Sequence, residues 1–93
     1  MRRIFKWRLN VYGAQTIRLP RGTEILTGKD QDGALHIWGL CDPEAPLETR
    51  WFLVVGTGHD FPSGNWKYIA TAHMCGGGLV WHMFVEETKE GGV

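Results

Sequence analysis

Apolar and polar residues alternate with a period of two through most of this chain, the mark of half-buried β-strands. Phe5, Trp7, Leu9 and Val11 alternate with Lys6, Arg8 and Asn10. Ile17 and Leu19 flank Arg18 in a short second strand that ends at Pro20, and Arg21-Gly22 turns the chain. Glu24-Ile25-Leu26-Thr27 opens a third strand. Asp32-Gly33 predicts a tight hairpin, because both residue types tolerate positive φ. Leu35 to Cys41 returns as the fourth strand. Asp42 to Pro46 is a loop whose prolines cannot donate to a ladder. Arg50 to Val55 forms a fifth strand that is apolar on both faces, so it is central or covered. Gly56 to Asn65 is a long glycine-containing loop. Trp66 to Met74 and Leu79 to Glu86 complete the set, joined by Cys75 and Gly76-Gly77-Gly78.

No segment carries a helical stripe, and neither repeat nor linker is present. The pattern predicts an all-β fold, a compact antiparallel β-sandwich or small barrel of six to seven short strands. Residues 1–86 form a single β domain, and residues 87–93 a flexible, polar C-terminal tail.

Size then bears on assembly. A chain of 93 residues buries only a modest core, although its 43% apolar content excludes disorder. Trp51 to Val55 and Val80 to Phe84 are apolar on both faces, and one small domain covers only one face of such strands. The second face is expected to meet a copy of the chain, giving a homo-oligomer, a dimer or higher. Five tryptophans in so short a chain add to that expectation. No apolar run reaches the roughly 20 residues that span a bilayer, and the N-terminus lacks a signal-peptide h-region. Cys41 and Cys75 are too few for a disulfide framework. A cytoplasmic protein is expected, with no membrane association.

Charge is what changes the picture most. The formal net charge is zero, yet residues 1–29 carry +6 and residues 30–93 carry −6. Lys6, Arg8 and Arg18 would share one face if the first two strands paired, and with Arg21 could grip phosphate. Aromatics beside them, such as Trp7 or Tyr12, could stack on a base. Alternatively Arg2, Arg3 and Lys6 pair with Glu86 and Glu87, if the first and last strands are neighbours. Zero net charge argues against general DNA binding.

Gly56-Thr57-Gly58-His59 follows the most apolar strand, and its amides could form an anion nest. The bland alternative is a glycine turn with Asp60 capping local amides. His36, His59, His73, Cys75 and His82 lack metal-ligand spacing, so no metal is expected. The sole serine, Ser63, sits in a turn away from any histidine, and Cys75 near His73 lacks a third orienting group. No enzyme and no cofactor is expected.

Short motifs along nearly the whole chain resemble a family of small uncharacterised proteins of tailed phages and prophages. They are Leu19-Pro20-Arg21-Gly22, Ile37-Trp38 leading to Asp42-Pro43, Gly56-Thr57-Gly58-His59, Tyr68-Ile69-Ala70-Thr71, and Val80-Trp81-His82-Met83-Phe84. Cys41, where a Val-like residue is expected, and the charged Gly28-Lys29-Asp30 stretch depart from the pattern. The resemblance implies a phage-like setting and little chemistry, since the family supplies no activity to carry over. Together these readings lead to a non-enzymatic binding protein that sequesters a small anionic, nucleotide-derived signal of host immunity. Arg8, Arg18 and Arg21 would contact phosphate, Gly56, Thr57 and Gly58 supply amides, His59 assist, and Trp38 or Trp66 stack. The alternative is a protein–protein module that blocks a host or phage partner, or a minor virion or assembly component.

Overall fold

The structure, a computed structural model, describes residues 1–87. It has seven strands: β1 (Arg3–Leu9), β2 (Gly13–Pro20), β3 (Glu24–Gln31), β4 (Ala34–Cys41), β5 (Leu47–Gly56), β6 (Trp66–Met74) and β7 (Leu79–Glu86). These form two antiparallel sheets, one ordered β1-β4-β3 and the other β2-β5-β7-β6. No α-helix is present among the described residues, and none of their segments makes a helix able to cross a membrane. The expected all-β sandwich is what the chain forms. Apart from Glu87, the expected tail lies outside the described residues.

Alternation decides which side chains fill the space between the sheets. Leu9, Leu35 and Ile37 come from the three-stranded sheet; Leu19, Phe52, Val54, Ala72, Met83 and Val85 come from the other. All are buried, and burying each large apolar side chain contributes about 1.5–3 kcal/mol before ordering costs. Close approach is written into the sequence at Gly28. A side chain there would meet Met83 Sδ at 2.8 Å, so the glycine admits the methionine of the opposite sheet.

The Asp32-Gly33 hairpin forms as expected, with φ of 54° and 79°. An unanticipated corner lies at Tyr12-Gly13, with φ of 69° and 102°. It carries the chain from β1 in one sheet to β2 in the other. The first two strands therefore do not pair; β1 pairs with β4 and β2 with β5.

β5 and β6 run parallel with β7 hydrogen-bonded between them. Such a connection must cross the sheet face, and the segment Thr57 to Asn65 does so over β7. Phe61 on this strap meets the Phe84 ring edge-on at 5.1 Å. Phe61 and Pro62 line a cleft of about 320 Å³ with Leu53 and Val55. Those two residues point away from the core yet are only 2% and 5% exposed. The apolar second face of β5, which suggested a partner copy, is thus substantially covered by the chain's own strap.

Candidate functional site

The solvent face of the three-stranded sheet gathers three basic strand residues, Lys6, Arg8 and Lys29. Leu35 and Ile37 point into the core, so His36 and Trp38 point out. Gly28 faces Met83, so Lys29 points out on β3. On β1 the buried Leu9 fixes Lys6 and Arg8 as outward. Register then sets these residues side by side. Arg8 and Lys29 flank His36 in one row, and Lys6 and Thr27 flank Trp38 in the next.

These two rows hold three cations and no carboxylate. Asp30, opposite the buried Leu35, falls on the other face of β3, and Glu24 is opposite Leu40 in the row beyond. Like charges clustered on one face repel, which makes the face a place where an anion is favourable. The aromatic members are held in place. His36 and Trp38 rings lie 6.0 Å apart, His36 Nδ1 lies 3.1 Å from the Ala34 carbonyl, and Lys6 Nζ donates to Gln31 Oε1 at 2.6 Å.

Of the residues singled out from the sequence for ligand contact, this face unites Lys6, Arg8 and Trp38 and leaves out Arg18, Arg21, Trp66 and the glycine loop. Arg18 lies on the outer face of the other sheet, on the opposite side of the molecule, because β1 and β2 belong to different sheets. Arg21 is in the β2–β3 turn, its amide bonded to the Pro46 carbonyl. The grouping of Lys6, Arg8 and Arg18 on one face is therefore corrected. So is the pairing of the first strand with the last: β7 lies between β5 and β6, not beside β1. Lys29 and His36 were not grouped with Arg8 from the sequence. Only the β1-β4-β3 order brings them together, and no local signal encodes that order.

The glycine loop is built differently from an anion nest. The Thr57 amide donates to Val80 O at 3.4 Å and the His59 amide to Gly56 O at 3.1 Å. Thr57 Oγ1 lies 2.8 Å from His82 Nε2, while His82 Nδ1 lies 3.0 Å from Thr71 Oγ1, which in turn meets Tyr68 Oη at 2.6 Å. The His59 ring stands edge-on to Tyr12 at 5.3 Å and to Trp81 at 6.1 Å. Thr57 and His59 do share a shallow cleft of about 180 Å³ with Trp81, but the Thr57 hydroxyl and both amides already serve the fold, and the His59 ring is engaged in aromatic contacts. Gly58 has φ of 87°, which the tight turn requires.

Trp66 opens β6 opposite Glu86, and its Nε1 reaches Ser63 O at 3.4 Å, bracing the end of the strap. It is remote in register from Trp38. Among the described residues no group of three His, Cys, Asp or Glu is placed to hold a metal ion. His82 has both ring nitrogens against hydroxyls. Cys41 is buried, Cys75 is exposed, and both are free thiols.

Comparison with known proteins adds a family and no activity. No curated protein and no solved structure matches the chain significantly. A family model described as a domain of unknown function matches residues 1–92, and the chain belongs to that family, DUF7352.

Proposed function

We propose that the protein is a non-enzymatic binding protein whose solvent-facing three-stranded sheet holds a small anionic, nucleotide-type ligand. The observation that carries this reading is the two-row grouping of Lys6, Arg8 and Lys29 around His36 and Trp38. Guanidinium and ammonium groups donate charge-assisted bonds to phosphate, and an indole beside them offers a base a stacking surface. Flat sheets use the same chemistry to bind unpaired bases. Three cations are too few for the basic footprint of a duplex binder, so a short ligand fits better than a long polymer. In a phage-like setting that ligand would be a nucleotide signal withheld from the host.

Calorimetric titration against linear and cyclic mono- and dinucleotides at low salt tests the reading. Binding should weaken as salt rises and vanish when Arg8 and Lys29 are both changed to Gln. Arg18→Gln should leave it unchanged. Absence of heat with every nucleotide, on protein shown to be folded, would sink the reading.

A second reading rests on the opposite face. Trp51, Phe61 and Tyr68 are 44%, 54% and 56% exposed on the outer side of the four-stranded sheet. We infer self-association through this strip. Light scattering should give a mass above that of one 10.5 kDa chain, reduced to it by Trp51→Lys.

A further inference from the structure

The two sheets meet along one seam, where β3 and β6 lie side by side without joining in a ladder. Each of these strands has a bulge. The β3 register slips between Ile25 and Thr27, and the β6 register between Tyr68 and Ala70. Both irregularities fall on the same groove, of about 390 Å³, at the mouth of the sandwich. Bulges bend strands and gather beside sites. Here two of them face each other and open the seam that regular strands would narrow.

The groove contains cations that point inward. Arg50 shares its face of β5 with the core residues Phe52 and Val54, and Lys67 stands opposite the buried Val85 on β7. The Arg50 guanidinium is half-buried, with Nη1 donating to Thr23 O at 2.7 Å. Thr23 is itself 4% exposed and held by its hydroxyl to Pro20 O. One carbonyl takes one of its five N–H groups, and the others are not enclosed, so they remain open to a ligand in the groove. Glu24, Glu86 and Glu87 line the same groove, and Ile25, Ile69 and Val85 supply apolar surface.

We propose that this groove binds a small zwitterion of the amino-acid type. Its carboxylate would bond to Arg50 and Lys67, its ammonium to the glutamates, and its side chain would lie on the apolar surface. A ligand carrying only negative charge would meet three carboxylates, and one carrying only positive charge would meet Arg50 and Lys67. A ligand with both signs on one small body satisfies both sets of walls. The volume is toward the small end of ligand sites, about 300–1,000 Å³. This site is separate from the basic outer face, and neither proposal depends on the other.

Methyl-detected nuclear magnetic resonance tests it on the whole chain. The probes are free leucine, phenylalanine, arginine and glutamate, with acetate and methylammonium as single-charge controls. At least one amino acid should shift the Ile25, Ile69 and Val85 methyls saturably. Lys67→Gln, on an exposed side chain that leaves the fold intact, should weaken that affinity about tenfold, the worth of one charge-assisted bond. Arg50→Gln should weaken it further where the variant folds, and the Lys67 result stands without it. No saturable shift up to about 10 mM of any amino acid would overturn the proposal. Acetate binding as tightly as the amino acids would overturn it too, by showing a simple anion site.

Discussion

The His59 imidazole occupies the space that a side chain at Gly56 would need: a Cβ built there would lie 2.7 Å from His59 Cε1. Gly56 is buried, and Trp81 closes the other side at 3.2 Å. Gly56→Ala should therefore cost about 1–3 kcal/mol through overpacking. His59→Ala removes the obstruction along with the ring's contacts to Tyr12 and Trp81, and should also destabilise. The two changes should be non-additive, with the double variant recovering part of the Gly56→Ala loss. Urea unfolding of the four proteins measures the coupling. Strict additivity would mean that the ring does not sit over Gly56.

Gly58 presents the opposite case. Nothing lies within 4 Å of a Cβ built there, so no side chain would clash, but its φ of +87° is strained for any L-residue. Gly58→Ala should cost about 1 kcal/mol through the backbone alone. Gly58→Asn should cost less, because asparagine tolerates the left-handed region. Equal losses for both variants would place the cause elsewhere.

Thr71 joins Tyr68 to His82 through one hydroxyl. Thr71→Val keeps the shape and removes both bonds, leaving a part-buried imidazole nitrogen unmatched. A loss of about 1–2 kcal/mol is expected in chemical denaturation. Thr57→Val, at an exposed position, should cost less. The order of the two losses is the test, and its reversal would show that the strap end matters more than the β6–β7 link.

Clustering of like charge on the basic face has its own signature. Changing Lys6 or Lys29 to Gln should leave stability unchanged or raise it by a few tenths of a kcal/mol, since repulsion is relieved. The gain should shrink as salt increases. A loss of 1 kcal/mol or more in thermal unfolding would instead mean that the cations are structural partners within the fold.

The sequence reveals strands better than it reveals neighbours. Trp66–Met74 and Leu79–Glu86 match their alternation and glycine boundaries, and Asp32-Gly33 turns as its residue types require. These are local effects, set by side-chain period and backbone freedom. Pairing is not local. The Tyr12-Gly13 corner looks like the continuation of a strand because Val11 prolongs the alternation, yet a tyrosine with φ of 69° sends the chain to the other sheet. Arg8 and Arg18 thereby part company, while Lys29 and His36 join Arg8. The second apolar face of β5 has a partner within the chain over part of its length. Phe61 and Pro62 lie in what reads as a polar, glycine-rich loop, and nothing local shows that this loop crosses the sheet and covers Leu53 and Val55.

The insertion of β7 between β5 and β6 also sets an order of events. Among the described residues, β6 is hydrogen-bonded to β7 and to no other strand. A chain growing from its N-terminus therefore holds β6 without a ladder until the last of the seven strands arrives. Until then the outer hydrogen bonds of β5 are open as well. The four-stranded sheet is completed only when β7 pairs with β5 on one side and β6 on the other. Most of its pairings span large sequence separations, a topology that folds slowly for its length. During that interval the apolar Trp51–Val55 segment has one unpaired side, which makes β7 the guard against misassociation as well as the completing piece of the core.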